Sequence, residues 1–137
     1  MTVGQALIEW LHTYGDVEVE AVIETDQLDS ETKSYGLFKE AQKEVVTFLN
    51  GSRDVTEYYN FMVRARSKLD TNRVSNQEWL ENLETWIRMQ NIHRVLPDLG
   101  PGRACWAVGV SVTGYMMEQE TDTAAYQMSV EIHYTEE

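Results

Sequence analysis

The 137-residue chain has one cysteine, two prolines and no long apolar run. A single cysteine, Cys105, cannot build an internal disulfide framework, and the lack of Cys clusters excludes a cysteine-rich zinc site. Such cysteine usage suits a reducing cytoplasm. No stretch approaches the ~18 apolar residues of a membrane span. The first residues, MTVGQALIEWLHTYG, lack a basic leader and carry Glu9, so they do not read as a signal peptide. Without secretion, the acceptor pattern at Asn50-Gly51-Ser52 carries no meaning for glycosylation. Both prolines, Pro97 and Pro101, fall in one connector at 96–102, which cannot continue a helix.

Basic residues are also scarce. Lys and Arg number 11 against 23 Asp and Glu, a net charge of −12. That balance argues against binding to a phosphate backbone, which needs clustered cations. It argues equally against an anionic membrane surface. It suits a protein that lets a polyanion pass without adhering. The charge is uneven. Arg64, Arg66, Lys68 and Arg73 crowd one short segment, whereas no Lys or Arg follows Arg103. Glu118, Glu120 and Asp122 gather in a late acidic turn. A basic segment and an acidic hairpin on one chain can bring copies together head to tail, and these seven residues are the candidate subunit-interface residues.

Catalytic signatures are missing as well. There is no phosphate-binding glycine loop, no dinucleotide fingerprint and no nucleophile elbow. His12, His93 and His133 lack metal-ligand spacing. Cys105 has Arg103 nearby but no identifiable His partner, so it reads as a small apolar filler. The carboxylate pairs Glu118 with Glu120 and Asp26 with Asp29 do not fit a calcium loop. Tyr58, Tyr59 and Phe61 beside Arg64 and Arg66 suggest base stacking, but Tyr59 and Phe61 belong to an inward face and the overall charge is hostile. No enzyme, cofactor or metal is expected.

What is present is strong periodicity. At 75–93, Trp79, Leu80, Leu83, Trp86, Ile87 and Gln90 recur at helical spacing, and Ser75 with Glu78 matches a capping box. At 3–14, Val3, Leu7, Trp10, Leu11 and Tyr14 share a helical face, with Thr2 and Gln5 as a cap pair and Gly15 as a stop. The segment 16–24 alternates as a half-buried strand, and 25–33 reads as a polar loop. A short strand is expected at 34–38 and another at 44–49. The second ends at Asn50-Gly51, a hairpin signal, although a four-residue connection over 50–53 fits equally. Its partner places Val55, Tyr59, Phe61, Val63 and Ala65 on one face, followed by a polar loop at 67–74. Trp106, Val108, Val110 and Val112 alternate in one late strand. Tyr126, Met128, Val130, Ile132 and Tyr134 alternate in the last. The expected fold is α+β: a single domain over 1–137, with a mainly antiparallel sheet and two helices packed on one face.

Several segments resemble, in order, the minor capsid or tail terminator proteins of long-tailed bacteriophages. They are VGQALIEWL at 3–11, NGS at 50–52 with TEYY at 56–59, EWLENL at 78–83 with Trp86-Ile87, and PDLG at 97–100 with Gly102-Arg103. GYMME at 114–118 and YQMSVEI at 126–132 complete the set. The resemblance implies a structural virion protein, not an enzyme. Such proteins cap the tail tube as a ring, typically of six copies, end tube polymerisation and join the tail to the head connector. The implied partners are other copies of the chain, the tail tube protein and the connector or stopper protein, with DNA passing through the lumen without specific binding and no membrane. The implied location is the head-proximal end of the virion tail, after synthesis in the host cytoplasm. The loops at 25–33, 67–74 and 118–123 are then expected at contacts. An alternative from the residues alone is a monomeric or dimeric module that binds a small ligand or peptide near Trp106 or Trp10. A small enzyme with a dispersed site is a third.

Overall fold

A computed structural model of the chain describes residues 2–14, 20–21, 34–66, 70–119 and 123–137. The fold is α+β, as the periodicities predict. Helix α1 spans Val3–His12, α2 spans Asp70–Ile92, and four long strands follow the chain as β2 (Ser34–Thr47), β3 (Arg53–Arg66), β4 (Arg103–Gln119) and β5 (Thr123–Glu136). A two-residue β1 (Glu20–Ala21) runs parallel to β2; every other pairing is antiparallel, in the order β1-β2-β3-β5-β4.

The two central strands decide which face is the core. β3 and β5 pair without a break from Arg53↔Glu136 to Arg66↔Thr123. Side chains alternate across a strand, so odd positions of β3 and even positions of β5 share one face. Val55, Tyr59, Phe61 and Val63 lie buried there beside Tyr126, Met128, Val130, Ile132 and Tyr134. The helices cover this face. α1 supplies Val3, Ala6, Leu7, Trp10 and Leu11, and α2 supplies Leu80, Leu83 and Ile87. Indole and phenol rings join the two helices: Trp10 lies 4.9 Å from Trp86, and Tyr14 lies 5.2 Å from Trp86. Trp79 stacks on Phe61 of the sheet.

The expected cap of α1 is present. The Thr2 hydroxyl accepts from the Gln5 N–H at 3.1 Å and the Gln5 amide oxygen accepts from the Thr2 N–H at 2.9 Å. The long helix differs from expectation. It starts at Asp70, so the Ser75–Glu78 pair lies inside it and is not its cap, and the polar loop expected at 67–74 is largely helix. Nothing between 70 and 75 breaks a helix, and Asp70 suits the positive end of the dipole. Its far end closes without glycine. Val95 N–H donates to the Gln90 carbonyl and Arg94 N–H to that of Asn91, with Arg94 in the left-handed region at φ 60.

Three strand expectations also change. The segment 34–38 and the first part of 44–49 belong to one strand, β2, which ends at Thr47, with a register irregularity between Lys39 and Lys43 where the polar run KEAQK obscures the alternation. The hairpin turn is neither the two-residue nor the four-residue form. Gly51 N–H donates to the Phe48 carbonyl and Phe48 N–H to that of Ser52, leaving a three-residue loop with Gly51 at φ +90. A shift between Cys105 and Ala107 turns Trp106 off the core face, and its ring sits 4.8 Å from His133 on the opposite side. The expected stop at Gly15, most of the strand at 16–24 and the loop at 25–33 lie outside the described residues, as do 67–69 and the acidic 120–122.

The side chain of Asn91 ties α2 to β4. Its amide donates to the Val108 carbonyl and its oxygen accepts from the Val108 N–H, so it stands in for a strand partner at the sheet edge. Replacing Asn91 with Ala strips both bonds, and urea unfolding is expected to show a loss of about 1–3 kcal/mol. Replacing Arg94 with Gly relieves the left-handed residue, and the same measurement is expected to show a gain of about 0.5–1 kcal/mol.

Candidate functional site

Three features stand out once the sheet is assembled: a buried carboxylate in a cleft, an open polar face and a projecting arm. The carboxylate follows from strand parity. Glu57 sits between Val55 and Tyr59 on β3, and an unbroken alternation forces it onto the core face, where it is 2% exposed. Removing a charge from water is costly unless it is paired and hydrogen-bonded. Here the Lys39 ammonium lies 2.8 Å away, the Tyr134 hydroxyl donates to one carboxylate oxygen, and the Tyr59 hydroxyl reaches the other at 3.4 Å. Burial alone raises the Glu57 pKa. The hydrogen bonds from Lys39 and Tyr134 and the charges of Lys39 and Lys43 outweigh it, so the net shift is downward. Burial, and then the Glu57 carboxylate, pushes both phenols up.

This cluster floors a cleft of about 470 Å³ under the start of α1, walled by Thr2, Ile8, Leu37 and Lys43. Arg53 and Glu136 pair at its rim, which holds the Glu136 carboxyl below its ordinary range. The carboxylate is kept ionised and the phenols protonated. Neither is poised near neutral pH, so the cluster fixes charge rather than moving protons.

The opposite face of the sheet carries no helix among the described residues. Its side chains satisfy each other across strands. Asn60 accepts from Gln127 at 3.2 Å and from Ser129 at 2.9 Å, and Asp54 accepts from Thr135 at 2.9 Å. Thr56 and His133 share a bond of 2.9 Å, and His133 lies 3.3 Å from Glu131. The expected polar placement of His133 is therefore what the structure has.

The arm is the outer part of the β2–β3 hairpin. Val45, Val46, Phe48 and Leu49 are all exposed, Leu49 completely. Large apolar side chains clustered in this way mark contact surfaces.

Three of the expected interface residues, Arg64, Arg66 and Glu118, fall at the other end of the sheet. Arg64 pairs with Ala125, which pairs with Glu118, so the basic strand end and the acidic strand end share one row. Arg66 pairs with Thr123 beside them, and Arg73 lies in the first turn and a half of α2. Lys68, Glu120 and Asp122 lie outside the described residues. The two charged segments thus occupy the same end of one molecule, and a contact between them in neighbouring copies joins like ends side by side. Cys105 is half-buried, its thiol pushed up to about 11 by burial, with Sγ directed to the Ala107 carbonyl at 3.6 Å. Trp10 keeps its indole N–H on the Val95 carbonyl at 2.8 Å beside a groove of about 470 Å³.

Sequence reading missed Glu57, although its odd position between Val55 and Tyr59 was the available signal. It placed a strand at 44–49 but gave no sign that Val45, Val46, Phe48 and Leu49 are exposed. No group of three or more potential metal ligands occurs among the described residues. No family model matches the chain, and no curated protein matches it.

Because Glu57 titrates lower when folded, its contribution to stability is present above its ordinary pKa of 4.5 and is lost as pH falls through the folded value. The Glu57→Gln variant is expected to be less stable than the wild type at neutral pH. The difference in melting temperature is expected to shrink as pH drops below about 4.5. A gap that stays constant with pH contradicts the ionised assignment.

Proposed function

We propose that this chain is a structural protein of a bacteriophage tail, forming a ring that caps the tail tube and joins it to the head connector. The observation that carries this reading is the open sheet face. It is broad, hydrogen-bonded within itself and nearly free of cations. Along β3 and β5 it presents Asp54 and Glu131 as carboxylates, and the arginines of β3 with the same parity, Arg64 and Arg66, stand at the far end. A wall of this kind offers a passing polyanion few phosphate contacts, which suits a lumen through which DNA moves without being held. The helix-covered face then turns outward, and the sheet ends meet tube and connector. The ordered resemblance of the sequence to tail terminators supports the same role.

A second reading rests on the cleft beneath α1. Its mixed apolar and polar lining and its buried carboxylate suit a module that holds a small ligand or a peptide end, with Glu57 and Lys43 as the discriminating charges.

Light scattering of the free protein, repeated with assembled tail tubes and joined to negative-stain images, separates the two. The expected result is a ring alone, or a monomer that becomes a ring at tube ends. A protein that stays monomeric and ignores tube ends overturns the first reading and directs attention to ligands in the cleft.

A further inference from the structure

The chain has six asparagines, and only Asn50 is followed by glycine. That pair has a chemistry of its own. The backbone nitrogen of the following residue attacks the side-chain amide carbon, and glycine hinders the approach least because it has no Cβ. Asn60 lies inside β3 before Phe61. Asn72, Asn76, Asn82 and Asn91 lie inside α2 before Arg73, Gln77, Leu83 and Ile92. Asn50 instead sits at the tip of the β2–β3 arm, where residues 48–51 are all exposed.

The turn arranges the amide for that attack. The Asn50 side-chain oxygen accepts from the Ser52 N–H at 3.0 Å and from the Ser52 hydroxyl at 2.7 Å. Accepting from the N–H two residues on folds the amide back over the Gly51 peptide. Two donors on one carbonyl oxygen draw electron density from Cγ, and they stabilise the oxyanion that forms when Cγ is attacked. Gly51 is at φ +90, and nothing lies within 4 Å of the place a Cβ would take, so water has open access.

One bond opposes the reaction. The Gly51 N–H donates to the Phe48 carbonyl at 3.0 Å, and this bond opens before the nitrogen gives up its proton. It closes an exposed hairpin end, where local opening costs far less than unfolding.

We infer that Asn50 is a site of spontaneous deamidation, promoted by the two Ser52 donors. The Gly51 nitrogen loses its proton to hydroxide and bonds to Asn50 Cγ. The bond from Cγ to the amide nitrogen breaks, and ammonia leaves with the proton returned by water. A succinimide ring remains. Water opens it at Cγ to leave aspartate, or at the main-chain carbonyl to leave isoaspartate. The net reaction consumes one water and releases one ammonia, with no oxidant or reductant. Either product places a carboxylate beside Leu49 at the arm tip. Isoaspartate also adds a methylene to the main chain of the three-residue loop. The reaction is independent of what the protein assembles with.

The full-length folded protein is incubated at about pH 7 and about pH 9, and the tryptic peptide 44–53 is followed by mass spectrometry and isoaspartyl methyltransferase labelling. The expected result is an amide-to-acid mass gain and methyl labelling at Asn50, faster at the higher pH, with the other five asparagines intact. Ser52→Ala keeps the backbone donor and loses the hydroxyl. It is expected to slow conversion by about two- to tenfold, the weight of one hydrogen bond in a barrier, and Ser52→Thr is expected to restore the rate. The melting temperatures of both variants are expected to stay near that of the wild type. An Asn50 amide that persists in the folded protein at the higher pH overturns the inference. Conversion of the urea-unfolded chain alone overturns it too, and identifies the Phe48 bond as protective. A Ser52→Ala rate equal to or above that of the wild type overturns the role of Ser52.

Discussion

The unbroken pairing of β3 with β5 is the constraint on which the rest of this structure depends. Both strands are 14 residues long, and they run in register from end to end. A one-residue slip would send every core side chain of one strand to the other face. With the register set, Phe61 and Met128 meet on one side and Asn60 and Ser129 on the other. The apolar side recruits both helices. The polar side completes its own hydrogen bonds and recruits nothing among the described residues.

Glu57 shows the same constraint acting against local preference. A carboxylate on a core face is unfavourable, yet moving it outward would break the alternation that buries Val55, Tyr59, Phe61 and Val63. The fold keeps the parity and offsets the charge with Lys39 and two tyrosine hydroxyls. Lys39 comes from the strand whose pairing with β3 shifts between 39 and 43. The cleft, the carboxylate and the base of the arm therefore arise in one place, where α1 begins and β2 runs on uncovered. A sheet longer than its helical cover leaves apolar strand surface exposed at Val45, Val46, Phe48 and Leu49.

Periodicity and capping were enough to identify the α+β class, both helices and the core faces of β3 and β5, since these are local signals that survive into the fold. The Thr2–Gln5 cap is a local device and is present as expected. The start of α2 was misread at Ser75 because a capping pattern inside a permissive run competes with an earlier start. Trp106 was misread as core because one irregularity near Ala107 reverses the parity of its neighbours, and no residue type announces that shift. The exposure of the arm was not legible for a different reason. Val45, Val46, Phe48 and Leu49 are apolar and of high β-propensity whether covered or bare, and burial depends on what lies above them.

By itself, then, the sequence determined the secondary-structure class, the acidic character and the inward rows of the central strands, because charge and side-chain period are properties of the chain. Only the tertiary structure decided that Glu57 is paired in a cleft, that Arg64 and Glu118 share one row at the same end of the sheet, and that the β2–β3 arm is bare. Each of those depends on which strands become neighbours and how far the helices reach over them, and contacts between residues distant in sequence set both.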